Sequence, residues 1–530
     1  MPEPWDYIVI GAGSAGCALA NRLSADSRNK VLLLEAGPKD RNFWLHIPVG
    51  YYKTMLSPLS WGYDTEPEPE LNNRRIHWPR GKVLGGSSSI NGLVYMRGQA
   101  EDYDHWRQLG NIGWGWDDVL PFFKQSEDNE RGETEFRGKG GPLKVSDIRD
   151  RREICDAYVD AAQQAGLPYN EDFNGPTQEG VGYFQTTSRD GWRCSSAVGY
   201  LRPARNRANL RIETGALVSR IELKGRKVTA VHYRQNGENK TATVDGEVVL
   251  SGGAINSPQL LQLSGIGPGA LLSELGIEVQ HDLDGVGRDL QDHLQIRSIY
   301  RLNKPISVNN DVNNLFRRAL IGLNFAFRRR GPLTFSAGHA CIFAKVLPES
   351  ATPDIQFHFI PFSADKPGTG LHNWPGVTAS VCQLRPESRG EVMVRSQDPT
   401  EHPRIEANYL STEYDKRVLV EGLKLARTIS QSPAFAQHVD EEIEPGLHRT
   451  DHDSLMEHVR ERGTTIFHPT STCRMGPDDR AVVDEKLRVK GLEGLRVADC
   501  SIMPTVISGN TSAPAIMIGE KCAHMMLAGD

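Results

Sequence analysis

The sequence predicts a mixed α/β fold divided into two large units. An apolar stretch, a glycine-rich turn and a helical pattern follow one another at the N-terminus, and the same succession returns in residues 246–267 and 494–526. Residues from about 300 to 460 differ, because they hold short alternating strands and one long amphipathic helix. A chain of 530 residues also exceeds what one ordinary core accommodates. We therefore expect one unit assembled from separated segments and a second unit inserted into it.

The first element is the N-terminal stretch DYIVIGAGSAG. Residues 7–10 predict a strand buried on both faces, and the glycines Gly11, Gly13 and Gly16 match the pattern of a dinucleotide-binding turn before a helix. A second apolar strand ends at Glu35, about 20 residues further on, where a carboxylate can accept from ribose hydroxyls. A glycine turn without a ligand is the alternative. The carboxylate of Glu35 argues against NADP as the cofactor, and both NAD and FAD stay possible.

The elements that follow are predicted from their composition. Residues 41–80 are aromatic and rich in proline, which predicts a long, lid-like excursion over the surface. Residues 209–233 alternate and predict an antiparallel meander, and residues 246–267 predict strand, glycine turn and helix. In the second unit, DIQFHFI and GEVMVRS predict strands and DKRVLVEGLKLARTIS predicts a helix. Residues 494–526 again predict a strand, a loop and a helix.

Composition excludes several classes of protein. The net charge of −6 is small for this length and argues against nucleic-acid binding. The eight cysteines include no C-x-x-C pair, so neither a metal site nor a redox dithiol is expected. No apolar run reaches the length of a transmembrane segment. Because the predicted core strand begins within the first residues, we expect no signal peptide. We expect a cytoplasmic protein with reduced cysteines, and peripheral attachment at the inner membrane stays open.

One amphipathic stretch carries a basic end. Phe316, Leu320, Leu323 and Phe327 recur at helical spacing and lead into three consecutive arginines, residues 328–330. The ordinary interpretation is a helix with a solvated end. Contact with a membrane surface is the alternative.

Four ordered motifs together resemble one family. GAGSAG, GKVLGGSSSIN, GAINSPQLLQLSGIG and HPTSTCRMG occur in the order typical of the glucose–methanol–choline oxidoreductases, and the similarity spans essentially the whole chain. The resemblance implies FAD rather than NAD. It also implies a Rossmann-like FAD-binding domain from residues 1–155, 190–298 and 463–530. A substrate domain with a large antiparallel sheet would comprise residues 156–189 and 299–462.

The family implies a chemistry for two residues of this sequence. His468 matches the catalytic histidine, and a histidine can accept a proton at neutral pH. Asn510 matches a second catalytic position, and its amide can donate to a substrate oxygen but cannot act as a base. The implied reaction is oxidation of an alcohol to an aldehyde or ketone, with hydride transfer to flavin N5. His293 is expected to be structural, and it is the next candidate base.

The family also implies the cofactor contacts. The residues expected to contact FAD are Gly11, Gly13, Ser14, Ala15, Gly16, Glu35, Ala36, Val83, Gly86, Ser87, Asn91, Gly92, Leu93, Val94, Val218, Ala498, Asp499, Asn510 and Thr511.

Two positions depart from choline-oxidising members of the family. Ile90 stands where a histidine can tether FAD, so we expect non-covalent FAD, and Gln295 stands where a glutamate suits a quaternary ammonium. The subgroup that the chain resembles is that of the choline-dehydrogenase-like and sorbose-dehydrogenase-like alcohol dehydrogenases.

Three alternatives to this function stay open at this point. The protein could be a sugar- or polyol-specific dehydrogenase, a lyase or photoenzyme with redox-idle flavin, or a flavin-binding protein without catalysis. The expected partners are a small alcohol and an electron acceptor, whether a quinone, a dye-like carrier or oxygen. The sequence identifies neither of them.

Overall fold

A computed structural model describes residues 3–366, 368 and 370–529. Two seven-stranded sheets organise it, which confirms the predicted α/β class. The first sheet runs in the order Leu210–Thr214, Val31–Glu35, Trp5–Ile10, Glu238–Leu250, Lys227–Gln235 and Ala216–Lys224, and Leu495–Val497 also pairs with Glu238–Leu250. The second sheet runs in the order Val439–Glu444, Leu294–Leu302, Gly376–Gln383, Ile355–Ile360, Ala340–Ala344 and Gly180–Tyr183, and Thr464–Thr465 also pairs with Leu294–Leu302.

The first sheet is assembled from segments far apart in the chain, as predicted. Its parallel core joins Trp5–Ile10, Val31–Glu35, the end of Glu238–Leu250 and Leu495–Val497. These strands are apolar because helices cover the sheet, and parallel sheets of this kind are buried on both faces. The carboxyl ends of the parallel strands therefore meet at one edge, where binding sites of such sheets are found.

One predicted element was placed in the wrong arrangement. The alternating residues 209–233 do not form one antiparallel meander, because Leu210–Thr214 pairs in parallel with Val31–Glu35. The antiparallel part begins at Ala216–Lys224 and continues through Lys227–Gln235 into Glu238–Leu250. Alternation of apolar and polar residues indicates that one face of a strand is buried. It does not indicate whether the neighbouring strand runs parallel or antiparallel.

The second sheet is antiparallel at each of its pairings, in agreement with the implied architecture. Its apolar face packs against the predicted helix, which runs over Glu413–Gln431, and against Glu153–Gln164. The domain boundaries given above remain a prediction.

The longer helices include the glycine-turn helices and the amphipathic stretch. Their bounds are Ser14–Leu23, Ala100–Gln108, Trp116–Ser126, Glu153–Gln164, Gly253–Leu263, Leu315–Arg328, Glu413–Gln431, His452–Arg462 and Ser512–Ala528. Among the described residues, no helix combines the length and the apolar character that crossing a membrane requires. The cysteines are all free, and seven of the eight are buried.

Candidate active site

A single cavity of about 640 Å³ joins the glycine turn of the first sheet to the second sheet. Gly11, Gly13 and Glu35 line one part of it, and His468 and Asn510 line another. The cavity is thus formed where the parallel strands of the first sheet end and where the antiparallel sheet lies above them. The structure brings the two groups of predicted residues into one continuous space.

Most of the predicted cofactor contacts line this cavity. Those that do are Gly11, Gly13, Ser14, Ala15, Glu35, Ala36, Gly86, Ser87, Asn91, Gly92, Leu93, Val94, Val218, Asp499, Asn510 and Thr511. Gly16, Val83 and Ala498 do not line it. At Gly16 a Cβ would lie 1.9 Å from the Gly11 carbonyl oxygen, and Val83 and Ala498 are fully buried. These three residues support the cavity wall through packing instead.

The space around three glycines shows where the packing of the chain itself requires glycine. Gly11 has φ +100°, and a Cβ there would lie 2.5 Å from the Ser251 carbonyl oxygen. A Cβ on Gly86 would lie 2.7 Å from the Cα of Gly13, so three loops meet closely here. At Gly13, by contrast, a Cβ would meet Ser251 only at 3.7 Å. Packing of the chain alone does not demand glycine at position 13, whereas a pyrophosphate close to the backbone would.

The helix Ser14–Leu23 begins at this turn with its amides uncapped. Gly13 provides no side-chain cap, and the first turn of the helix carries no acidic residue. Free N-terminal amides and the helix dipole both favour an anion at this end. The site therefore fits the diphosphate of a dinucleotide such as FAD.

Glu35 lies buried beside the turn with acceptor capacity to spare. Its carboxylate accepts from the backbone N–H of Ala12 at 2.9 Å and from that of Gly37 at 2.8 Å. A carboxylate has about four acceptor sites, so ribose hydroxyls can still donate to it. Burial raises the pKa of Glu35 to about 7, and the two backbone hydrogen bonds oppose that rise.

Val218 lies at an irregularity of its strand. The pairing of Ala216–Lys224 with Lys227–Gln235 shifts register between Val218 and Arg220. A bulge leaves an extra residue out of the ladder and commonly lies beside a binding site. This irregularity fits a position whose backbone contacts a ligand base.

The loop that carries His468 is held from three directions. Phe467 adopts φ +72°, in a region that residues other than glycine rarely occupy. Its amide donates to the Thr465 hydroxyl at 2.7 Å, and its carbonyl accepts from Arg80 at 2.7 Å. The next amide, that of His468, donates to the Asp292 carboxylate at 2.7 Å. These contacts maintain the strained backbone that presents the histidine to the cavity.

The ring of His468 lies between His293 and Asn510. Its Nδ1 is 3.0 Å from the Nδ1 of His293, and its Nε2 is 3.1 Å from the Nδ2 of Asn510. On the far side, His293 Nε2 donates to the Leu384 carbonyl oxygen at 3.0 Å. The Asn510 carbonyl oxygen accepts from Gln356 Nε2 at 3.3 Å, which orients the Asn510 amide group towards His468.

This chain of contacts determines the tautomer of His468. A carbonyl oxygen only accepts, so the proton of neutral His293 lies on Nε2 and its Nδ1 is an acceptor. His468 Nδ1 must then donate to His293, which leaves His468 Nε2 unprotonated towards the cavity.

Burial keeps both rings neutral. It lowers the pKa of His293 to about 4. It also lowers the pKa of His468 well below its ordinary value, with help from the neighbouring histidines and Arg80.

Sequence reasoning missed several residues of the site. Asp292 supports the His468 loop and accepts from Thr465 at 2.5 Å and from Tyr409, and burial raises its pKa to about 6. Gln356 and His358 come from a strand of the second sheet, and His358 lines the cavity with both ring nitrogens lacking a hydrogen-bond partner among the described residues. No motif marked these residues: Gln356 and His358 belong to the second sheet, and Asp292 lies just before its strand Leu294–Leu302.

The N-terminus of the helix Ser512–Ala528 lies at the same cavity. Thr511 precedes the helix Ser512–Ala528, and its side chain makes no capping hydrogen bond. The Asn91 amide reaches the Ser512 hydroxyl at 3.4 Å, which links the GGSSSIN segment to this helix. Thr511 and Ser512 both line the cavity, so this helix also directs free amides into it.

Comparisons with known proteins identify the arrangement. Family models described as GMC oxidoreductase match residues 5–295 and 386–519. The alcohol dehydrogenase [acceptor] of Pseudomonas putida is 44% identical over 99% of this chain and 96% of its own length. The mitochondrial choline dehydrogenase of Homo sapiens is 42% identical over 99% of this chain and 90% of its own.

Two solved structures share the whole fold. The pyridoxine 4-oxidase from Mesorbium loti has a TM-score of 0.89 at 30% identity, covering 99% of both chains. The formate oxidase from Aspergillus oryzae RIB40, described for FAD modification, has a TM-score of 0.92 at 26% identity, covering 100% of this chain and 99% of its own.

Proposed function

The chain belongs to the GMC oxidoreductase family, and we propose that it oxidises an uncharged alcohol with His468 as base and Asn510 as the group that orients the substrate oxygen. As a member of this family it is an FAD-dependent oxidoreductase acting on CH–OH groups. The observation that carries the assignment of roles is the chain of contacts from the Leu384 carbonyl through His293 and His468 to Asn510, which requires His468 Nε2 to be the acceptor at the cavity.

The residues that would hold FAD follow from the cavity. The amides of the helix that begins at Ser14 would bind the pyrophosphate, Glu35 the ribose and Val218 the adenine. Asn91 and Thr511 would contact the flavin ring. FAD bound there would supply the hydride acceptor for the reaction, and a quinone, a dye-like carrier or oxygen would be the final electron acceptor. We propose that it is held without a covalent bond, since the aliphatic side chain of Ile90 offers no nucleophile.

His468 and Asn510 then divide the work on the alcohol. The hydroxyl of the substrate would donate to His468 Nε2 and accept from Asn510 Nδ2, replacing the direct contact between the two side chains. Transfer of the hydroxyl proton to His468 builds negative charge on the oxygen, which favours departure of a hydride from the adjacent carbon. The Asn510 amide stabilises that charge, and Gln356 keeps the amide in the donating orientation.

The charges of the cavity favour an uncharged alcohol over choline. Its acidic lining residues, among those the structure describes, are Glu35 and Asp499, and both belong to the glycine-turn side. Gln295 lines the cavity as a neutral amide and donates to the Thr465 carbonyl at 3.1 Å. Arg297, two residues further along the same strand, lines it as a cation. A quaternary ammonium would therefore meet the arginine cation, and the Glu444 carboxylate that acts on Arg297 is not among the described residues that line the cavity.

An anaerobic reduction screen tests the proposal. The purified holoenzyme is mixed with aliphatic, aryl and sugar alcohols, polyols and choline, and the visible flavin absorbance is followed. We expect bleaching by at least one class of primary or secondary alcohol. A tertiary alcohol of the same size is the control, since it has no hydrogen on the hydroxyl-bearing carbon. Absence of bleaching with every alcohol would favour the redox-idle alternative and contradict the proposal.

A further inference from the structure

The helix Leu315–Arg328 presents its apolar side to solvent. At about 100° per residue, seven apolar residues occupy one arc of about 140° around the helix. They are Leu315, Phe316, Ala319, Leu320, Leu323, Ala326 and Phe327, and each is exposed. Phe327, Leu315 and Phe316 are 84%, 80% and 73% exposed. We call these seven residues the apolar helix face.

This orientation is the reverse of that expected for a surface helix. An amphipathic helix on a globular protein normally turns its apolar stripe to the core. Here Phe325, on the opposite side, is the buried residue of the helix and packs edge-on to Trp192 at 5.1 Å. Leaving seven apolar side chains in water is unfavourable, so an exposed face of this kind indicates a surface that something else covers.

Basic residues border the apolar helix face on both sides. Residues 312–330 contain five arginines and no acidic residue. Arg317 and Arg328 lie at one margin of the arc and Arg318 at the other, and all three are exposed. Nearby acidic charge comes from Asp311, which pairs with Arg317 at 3.1 Å and with Arg152 at 2.9 Å, and from Asp150, whose charge interacts with Arg152 and Arg330. An apolar stripe between cationic margins is the pattern of a helix that lies in the headgroup region of a membrane.

The helix that carries the apolar helix face also borders the active-site cavity. Ile321, on the inner side of the same helix, lines the cavity that contains His468. Tyr52 also lines the cavity and is 39% exposed, and the charge of Arg318 acts on its phenol. Leu56, one turn beyond Tyr52, is 54% exposed. The helix and the partly exposed Tyr52 therefore border the same cavity, and Arg318 lies between the apolar helix face and Tyr52.

We propose that the apolar helix face docks on the surface of a bilayer containing anionic phospholipids, so that the cavity mouth opens at the lipid surface. The charges favour this occupant over a second copy of the chain. In a two-fold dimer through this face, arginines of one copy would approach arginines of the other, and like charges across an interface are unfavourable. Anionic headgroups complement the same arginines, because basic side chains close to such a surface are attracted to it. Docking needs no catalysis and is independent of the proposed function.

Vesicle flotation of the purified holoenzyme tests the docking. Wild type is mixed with vesicles of phosphatidylglycerol and phosphatidylethanolamine, or of phosphatidylcholine alone, at low and high salt. We expect binding to the anionic vesicles that weakens with salt. The double variant F316S/F327S should reduce the partition coefficient at least about tenfold, since two largely exposed aromatic rings lose their apolar contact with lipid.

The control variant removes largely exposed apolar groups elsewhere on the surface. I112S/L447S changes residues that are 78% and 61% exposed and lie outside the helix and the cavity lining, and its binding should equal that of wild type. Wild type that floats with neither vesicle would overturn the proposal, as would equal binding by F316S/F327S. Light scattering provides the third test: a wild-type dimer that F316S/F327S converts to a monomer, with vesicle binding unchanged, would assign the face to a second copy.

Discussion

His293 should be required to keep His468 in its active tautomer. We consider the variant His293→Leu, which removes the acceptor 3.0 Å from His468 Nδ1 and leaves a buried N–H without a partner. That loss costs about 1 to 3 kcal/mol, and the ring can avoid it by moving the proton to Nε2. Since about 1.4 kcal/mol is a factor of ten, the reactive tautomer should become about 10 to 10² times rarer. The rate of flavin reduction by alcohol should fall by the same factor.

The variant His293→Asn is the matched comparison. Its amide oxygen can occupy the place of His293 Nδ1 and accept from His468, while the bond to the Leu384 carbonyl is lost. We expect it to lose less than about tenfold in the same rate. Anaerobic stopped-flow absorbance measures the reductive rate of both variants, and the FAD content of each is measured in parallel.

The pH profile separates this positioning role from a merely structural one. Burial lowers the pKa of His468, so the neutral base persists as the pH falls below 6.5 and activity is lost only as the pH falls through the lowered value. The wild-type reductive rate should therefore stay level between pH 8 and pH 6.5, and His293→Leu should be slower at each pH in that range. Equal rates for wild type and His293→Leu, or equal losses in the two variants, would refute the reasoning.

Three further predictions concern the cofactor and the substrate. Glu35→Ala should weaken FAD binding, and protein molecules that retain FAD should react at the wild-type rate, because Glu35 belongs to the glycine-turn side of the cavity. Titration of the apoprotein with FAD measures the loss of binding. A slow reductive rate per bound flavin would contradict the expected wild-type rate. Acid or heat denaturation should release FAD into the supernatant, because Ile90 cannot tether it, and yellow colour retained in the precipitate would count against this. Choline should have a lower kcat/KM than neutral primary alcohols because Gln295 and Arg297 offer no negative charge; a choline value above those of all neutral alcohols tested would show that the cation is recognised elsewhere.

The local patterns of the sequence predicted the recurring strand–turn–helix units because each is contained in one continuous segment. The turn from Gly11 to Gly16, the helix Gly253–Leu263 and the helix Ser512–Ala528 all lie where their patterns place them. The sequence patterns did not predict which distant strands pair with each other. For this reason Leu210–Thr214 was assigned to the wrong neighbouring strand. Whether a strand runs parallel to its partner depends on a segment about 180 residues away.

The site shows the same limit. The resemblance identified His468 and Asn510, but the partners that determine their orientation come from distant segments of the chain. His293 lies 175 positions before His468, and Gln356 lies 154 positions before Asn510. The periodicity of residues 316–327 predicted a helix, yet it could not reveal that the apolar side faces solvent, since that depends on what the opposite side packs against.

The most direct test of the central assignment is the reductive rate of His468→Ala under anaerobic conditions. The account predicts a fall of about 10² to 10⁴-fold, the usual effect of losing a positioned acid–base group, with FAD still bound. Asn510→Ala should lose less, about 10 to 10³-fold, because it removes one contact to the oxygen and leaves the base. Reduction of the His468→Ala flavin at nearly the wild-type rate would show that another residue takes the proton, and His293 would become the next candidate.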